Sequence, residues 1–183
     1  MGFSGKLQPM PSYLTIACAC AFLVVLPFNP AGAATPQPTA VAHRVDCIII
    51  YKARKVMQLL KNDEVVRSYR IAIGNNSIGS KRKAGDCRTP EGGYVIDRHN
   101  TQSAFYKSVH ISYPNAKDVA TARQEGHLAR GNIMIHGLPK DYEDLGNVHY
   151  GRNWTKGCIA INNKEMDELW DLVPDGTPIE IKP

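Results

Sequence analysis

From Cys47 the chain reads Cys-Ile-Ile-Ile-Tyr, and only four residues separate this run from a second apolar run, Val56 to Leu60. β-branched side chains lose rotamer freedom against a helical turn and pack well on a pleated surface. Runs this short, set this close together, bury a face only as paired strands. A third stretch, 65–73, alternates apolar and polar residues, and Lys61-Asn62-Asp63-Glu64 before it has the composition of a hairpin turn. Three successive strands with short links predict an antiparallel sheet.

Downstream, residues 74–93 are rich in Gly, Lys, Arg, Asp and Ser and read as loop. Tyr94 to Asp97 and Val109-His110-Ile111-Ser112 read as strands, the second closed by Tyr113-Pro114-Asn115. A short helix is expected over 118–125, and a short apolar strand over 132–135 runs into His136-Gly137. After a polar loop, 157–161 reads as a strand. Asn163 is expected to cap a helix whose apolar face is Met166, Leu169, Trp170 and Val173, stopped by Pro174. A last strand is expected over 178–181. The fold class is mostly β with one or two short helices. With 183 residues, 43% hydrophobic and 21% charged, the chain can bury one core, and wholesale disorder is excluded.

The first residues carry an address rather than a fold. Leu14 to Leu26 is almost wholly apolar, Pro27 and Pro30 break it, and Ala31-Gly32-Ala33 has the small-x-small pattern of a signal-peptidase site. The run falls short of the ~20 residues of a comfortable span. Residues 1–33 are therefore read as a signal peptide, 34–44 as a Pro/Thr/Ala linker and 45–183 as the working domain. Export to the periplasm or cell wall, with no stable membrane insertion after signal removal, is the expectation. The formal charge is +5, with Lys6 the only charged side chain before residue 34. A mild basic excess suits nucleic acid, a membrane surface or an acidic cell-wall polymer, and does not choose among them.

Export changes how the cysteines are read. Cys18 and Cys20 leave with the signal, so Cys47, Cys87 and Cys158 remain, an odd number in an oxidising compartment. Cys158 lies in Gly157-Cys158-Ile159-Ala160-Ile161, and His136 lies between Ile133-Met134-Ile135 and Gly137. A thiol attacks only as thiolate, and a histidine within reach can take its proton and return one to the leaving amine. Glycines beside both residues let backbone approach a reacting centre. Read from these residues alone, the pair is either catalytic or a buried strand cysteine with a histidine at a strand end.

The wider context resembles the L,D-transpeptidase family, the YkuD domain, whose signature is His-Gly, a loop, then Ser/Thr-x-Gly-Cys. Here it stands as Ile133-Met134-Ile135-His136-Gly137 and Asn153-Trp154-Thr155-Lys156-Gly157-Cys158-Ile159-Ala160. Gly85-Asp86-Cys87-Arg88-Thr89-Pro90-Glu91-Gly92 resembles the family's Thr-Pro-x-Gly segment. Ile111-Ser112-Tyr113-Pro114-Asn115 and Asp175-Gly176-Thr177-Pro178-Ile179 are also similar, in the right order. The likeness covers about Asp46 to Ile181.

The resemblance implies a sandwich-like or barrel-like β domain with the nucleophile in a groove under a loop. It implies that Cys158 attacks the carbonyl between a diamino acid and the terminal D-alanine of a peptidoglycan stem, leaving a thioester that a second amine resolves. That amine would come from another stem or from a protein. Water in its place would make a carboxypeptidase, and an unreactive thiol a cell-wall-binding module. His136 would be the base, Gly137 would orient its ring, and N–H groups near Gly157 and Cys158 would hold the oxyanion. Thr155 would support the loop. Arg88, Tyr150 and Trp154 are candidate substrate contacts. No metal, organic cofactor or nucleic acid is implied. With Cys158 kept free, Cys47 and Cys87 are the two thiols left to pair, although nothing in the sequence brings them together.

Two positions depart from the family pattern. Lys156 stands where many members have histidine, which favours His136 as sole base, and Ala160 stands where Asn or Arg is frequent. His99, His110, His127 and His149 match no zinc spacing and read as surface or core histidines, and His149 is also a candidate for the groove wall. Lys81-Arg82-Lys83 reads as a solvated basic loop. A sortase-like reading needs an arginine after the cysteine strand, and none follows Cys158; a papain-like one puts Cys before His, the reverse of the order here.

Overall fold

Strand pairing in the computed structural model, which describes residues 1–2 and 44–183, begins where the first isoleucine run begins. Apart from Met1, Gly2 and Arg44, the signal-peptide and linker readings lie outside the described residues. Strand β1 (Cys47–Tyr51) pairs antiparallel with β2 (Val56–Lys61), and β2 with β3 (Glu64–Arg70). The hairpin between β2 and β3 turns on Asn62 and Asp63, both at positive φ (49° and 63°). This is the left-handed pair that a two-residue turn needs to match strand twist.

Five further strands complete the sheet: β4 (Gly92–Ser103), β5 (Tyr106–Ile111), β6 (Met134–His136), β7 (Ile159–Ala160) and β8 (Pro178–Lys182). Their spatial order is β3-β2-β1-β8-β4-β5-β6-β7. The segment leaving β3 bridges back to the β7 side, Ala72 to Ala160 and Gly74 to Thr155. The sheet therefore curls onto itself, in keeping with the barrel-like expectation. It is not wholly antiparallel, because β1 pairs parallel with β8 and β6 with β7. Those partners are remote in the chain or separated by a long loop, so no hairpin signal announces them.

Alternation puts one face of each strand inside. Ile48 and Ile50 face the core, in register with Leu59 and Met57 on one side and with Ile179 and Ile181 on the other. Ile96, Ile111, Ile135 and Ile159 carry the same core across β4 to β7. Helix α1 (Ala116–Gln124) starts at Asn115, whose side chain and that of Asp118 form a capping box. Helix α2 (Asn163–Leu172) lays Met166 and Leu169 on the core, with Val173 closing its C-terminal end. Its cap is Asn162 rather than the expected Asn163. The Asn162 side chain accepts from the Glu165 N–H at 2.9 Å, and Glu165 accepts from the Asn162 N–H at 3.0 Å. Residues 140–151 form a kinked 3₁₀ segment with Gly146 at φ 45°. No helix among the described residues is long and apolar enough to cross a membrane.

Candidate active site

Parallel pairing of β6 and β7 sets Ile135 opposite Ile159 and His136 opposite Ala160. Continued back by one residue, the register sets Cys158 opposite Met134. The two isoleucines point into the core, so His136, Met134 and Cys158 share the opposite face. Imidazole and thiol thus project from one face of adjoining strands, two residues out of step. The sequence placed both residues at the ends of apolar runs, and the fold brings the runs side by side.

His136 is held in one ring orientation. Its Nδ1–H donates to the Gly137 carbonyl at 2.7 Å, which leaves Nε2 as the open, unprotonated nitrogen of the neutral ring. Phe105 packs against the ring at 4.6 Å between centroids, and Trp154 meets it edge-on at 5.9 Å. Burial pushes the imidazole below its ordinary pKa, against a smaller upward pull from the Gly137 carbonyl. Gly137 itself has no room for a side chain, since a Cβ would lie 2.5 Å from Asn163 Oδ1. That oxygen accepts the Leu138 N–H at 2.7 Å. Asn163 therefore fastens the His136 turn to α2, which is its role in place of the expected cap.

Cys158 ends a tight turn whose hinge is Thr155. The buried Thr155 hydroxyl donates to the Cys158 carbonyl at 2.6 Å and accepts the Gly157 N–H at 3.1 Å. The Gly157 N–H is thereby committed and is not open to an oxyanion. The Cys158 N–H has no partner among the described residues. Gly157 adopts φ +123°, and a Cβ there would come within 2.5 Å of the Arg88 carbonyl. The Cys158 thiol donates to the Asn132 carbonyl at 3.5 Å. Burial pushes its pKa up, while the Met134 N–H and the Lys81 ammonium pull the other way. At rest, thiol and imidazole are both driven toward their neutral forms.

Other expected residues fall into different places. Arg88 backs the Gly157 turn through its main chain, and its Nε is buried without a partner among the described residues. Trp154 lies between His136 and His149, its indole N–H also unpartnered among the described residues. Tyr150 does not face the groove. It is 2% exposed, its hydroxyl donates to Glu165 and accepts the Asn162 N–H at 3.1 Å, and it thus locks the start of α2. His149 is buried against Tyr150 and Trp154 with neither ring nitrogen partnered among the described residues, and burial brings its pKa down to about 4. Lys156 is exposed, and Ala160 is fully buried, exchanging hydrogen bonds with Ala72.

Among the described residues, Cys47, Cys87 and Cys158 are all free thiols. Cys47 opens β1, whereas Lys52, just past the far end of that strand, donates to the carbonyl of Thr89, near Cys87. The length of a strand stands between the first two, so the pairing of Cys47 with Cys87 is not formed. His99 and His110 bond Asp175 and Asp97, each at 2.6 Å, and no group of three metal-ligating side chains occurs among the described residues.

A groove of about 720 Å³ adjoins His136, walled by Phe105, Tyr142, Leu145, Val148, Trp154 and, as expected of it, His149. Two features escaped the sequence reading. Phe105 follows no motif and reaches His136 only through the β4–β5 turn. Lys81 is not solvated but 4% exposed, paired with Asp86 at 2.7 Å. A lysine in a basic triplet gives no sign of burial, because the carboxylate that admits it lies five residues on in the same loop.

The closed β domain thus presents the Cys158 thiol and an oriented His136 imidazole on one face. Residues 46–181 match the model of YkuD, the L,D-transpeptidase catalytic domain, and the chain belongs to that family. It is 29% identical over 132 residues to YafK of Escherichia coli K12, covering 69% of this chain and 46% of that protein. It is 24% identical over 147 residues to YkuD of Bacillus subtilis, covering 80% and 70%. Among solved structures, the fold is similar to that of the helical cell shape determining protein Pgp2 of Campylobacter jejuni. The TM-score is 0.57 at 23% identity, covering 76% of this chain and 48% of that one. Bd1075 of Bdellovibrio bacteriovorus gives 0.54 at 23%, covering 77% and 49%. The chain thus spans about half the length of several of these proteins.

Proposed function

We propose that this chain is an exported L,D-transpeptidase that acts on peptidoglycan stem peptides through a Cys158 thioester. The observation that carries the reading is the His136 tautomer. With Nδ1–H bonded to the Gly137 carbonyl, Nε2 is the free base, on the sheet face that also bears Cys158.

Both groups start neutral, so attack is a general-base step. The sulfur forms a bond to the donor carbonyl carbon as its proton passes to His136 Nε2. The tetrahedral oxyanion is met by the unpartnered Cys158 N–H, since Thr155 occupies the Gly157 N–H. Collapse breaks the carbon–nitrogen bond to D-alanine, whose amine takes the proton from Nε2. An incoming amine then gives its proton to Nε2 and displaces the sulfur, restoring the thiol. Arg88, with a buried Nε lacking a protein partner, is the candidate contact for a donor carbonyl or carboxylate. Secretion through residues 1–33, work in the periplasm or cell wall, and a role in cell shape are part of the same reading. No cofactor enters it.

The test incubates the purified domain with a tetrapeptide-stem muropeptide plus a diamino-acid acceptor and reads products by mass. Loss of D-alanine with gain of the acceptor is expected, and Cys158→Ala abolishes it while keeping the folded circular dichroism spectrum. Turnover by the alanine variant, or a folded wild type that leaves the stem untouched, overturns the reading.

A further inference from the structure

The loop over residues 81–88 is folded around one carboxylate. Asp86 accepts from Lys81 Nζ at 2.7 Å, from the Arg82 and Lys83 N–H groups at 2.7 and 3.0 Å, and from the Arg88 N–H at 3.2 Å. The ion pair is almost wholly out of water, with side chains 3% and 9% exposed. Isolated charges are costly to bury, and surface loops have no need to do so. Two contacts link this pair to the candidate nucleophile. On one side, Arg88, fixed by Asp86, presents the carbonyl on which Gly157 is seated without room for a Cβ. On the other, the Lys81 stem runs so close beneath Gly131 that a Cβ there would sit 2.7 Å from Lys81 Cε, and the next residue, Asn132, holds the Cys158 thiol.

We propose that the buried Lys81–Asp86 pair is the positioning device for Cys158. The carboxylate seats the Gly157 turn through Arg88, and the ammonium favours negative charge on the sulfur as the thiol gives up its proton. The proposal rests on the reading of Cys158 as nucleophile. The charged and titratable groups around this site are Lys81, Arg82, Lys83, Asp86 and Arg88 from the loop, Tyr113 past the end of β5, Asp118 of α1 beside that tyrosine, and His136 on β6. Arg82 is drawn away by Glu125 at 3.2 Å, which leaves Lys81 as the cation whose pull reaches the sulfur.

The experiment follows iodoacetamide alkylation of Cys158 against pH by peptide-resolved mass spectrometry, which separates it from Cys47 and Cys87 and needs no peptidoglycan donor. A failure here therefore differs from a failure of the proposed function, which muropeptide products judge. Lys81→Met is expected to raise the alkylation midpoint by roughly 1 pH unit, and Lys81→Arg to restore most of it. Asp86→Asn, which keeps the ammonium and removes the balancing charge, is expected to shift the midpoint down. A merely structural pair would move Lys81→Met and Asp86→Asn in the same direction. A folded Lys81→Met with the wild-type midpoint, or an upward shift in Asp86→Asn, overturns the proposal. If Lys81→Met does not fold, Asp86→Asn decides alone.

Discussion

Thr155 holds Cys158 by its own backbone: the threonine hydroxyl donates to the Cys158 carbonyl at 2.6 Å and takes the Gly157 N–H at 3.1 Å. One oxygen thus closes the turn that aims the thiol. Thr155→Val keeps the shape and removes both bonds, leaving a buried carbonyl and N–H unpaired. The expected cost is about 1–3 kcal/mol of stability. A thiol displaced by ~1 Å is expected to lose on the order of 100-fold in turnover. Thr155→Ser retains the oxygen and should restore both. Denaturant melts and kcat measured side by side check this, and a valine variant with wild-type kcat would remove Thr155 from the site.

Protonation of His136 should set the acid limb of activity. Burial holds its imidazole below the ordinary value of about 6.5, so the free base persists at neutral pH. Activity is expected to rise with pH through a midpoint below 6.5 and then stay level across neutrality. His136→Ala should lower kcat by roughly 10²–10⁴-fold and abolish that limb. Lys156 is exposed, and Lys156→Ala should cost far less. A larger loss from Lys156→Ala than from His136→Ala would move the proton transfer to the residue before Gly157.

Much of this was legible in the sequence, and the limits have physical causes. β1 to β3 and their Asn62–Asp63 turn follow from local alternation and turn chemistry. His136 and Cys158 stand out because each flanks a short apolar run and a glycine. The parallel pairings were hidden, since β1–β8 joins segments at opposite ends of the domain. Asn162 and Asn163 are chemically identical candidates for a cap, and only Glu165 three residues beyond Asn162 distinguishes them. Tyr150 read as a groove residue because aromatic loop residues so often line grooves. Its hydroxyl instead meets Glu165, a partner that folding supplies and spacing does not announce.

His149 should make the domain acid-labile. Its folded pKa is near 4, below the ordinary 6.5 expected when unfolded, so the unfolded chain binds more protons between those values. The stability tied to the neutral ring is full above about pH 6.5 and is lost as pH falls toward 4. A loss on the order of 2 kcal/mol is expected. His149→Phe keeps an aromatic ring against Tyr150 and Trp154 and should flatten this dependence. Guanidinium unfolding at pH 7.5 and 4.5 measures it; an equal drop in the phenylalanine variant would assign the acid lability elsewhere.

Tyr150→Phe separates a structural tyrosine from a substrate contact. The hydroxyl is shared between Glu165 and the Asn162 N–H at the start of α2, so its removal should cost roughly 1–2 kcal/mol. KM for the donor stem should stay within about twofold, because binding energy is not drawn from this oxygen. A KM rise without loss of stability would return Tyr150 to the groove.

Whether an amine or water resolves the thioester should depend on the groove beside His136. Its walls include Phe105, Leu145 and Val148, all partly or largely exposed in the free protein. A bound acceptor would cover this surface, gaining apolar burial while excluding water from the thioester. Asp141, Glu143 and Asp144 stand exposed on the same 3₁₀ segment and favour an approaching ammonium, an attraction that salt should weaken. Removing one buried apolar contact costs about 1.5 kcal/mol or more, so Val148→Ser should lower acceptor use about tenfold. Release of D-alanine in the first step should stay at the wild-type rate, because the donor side is untouched. The ratio of acceptor-bearing product to trimmed tripeptide, read by mass at increasing amine, measures the effect. An unchanged ratio in Val148→Ser would detach the groove from acceptor binding. Trimmed tripeptide accumulating alone in wild type, with amine abundant, would make the enzyme a carboxypeptidase on a transpeptidase fold.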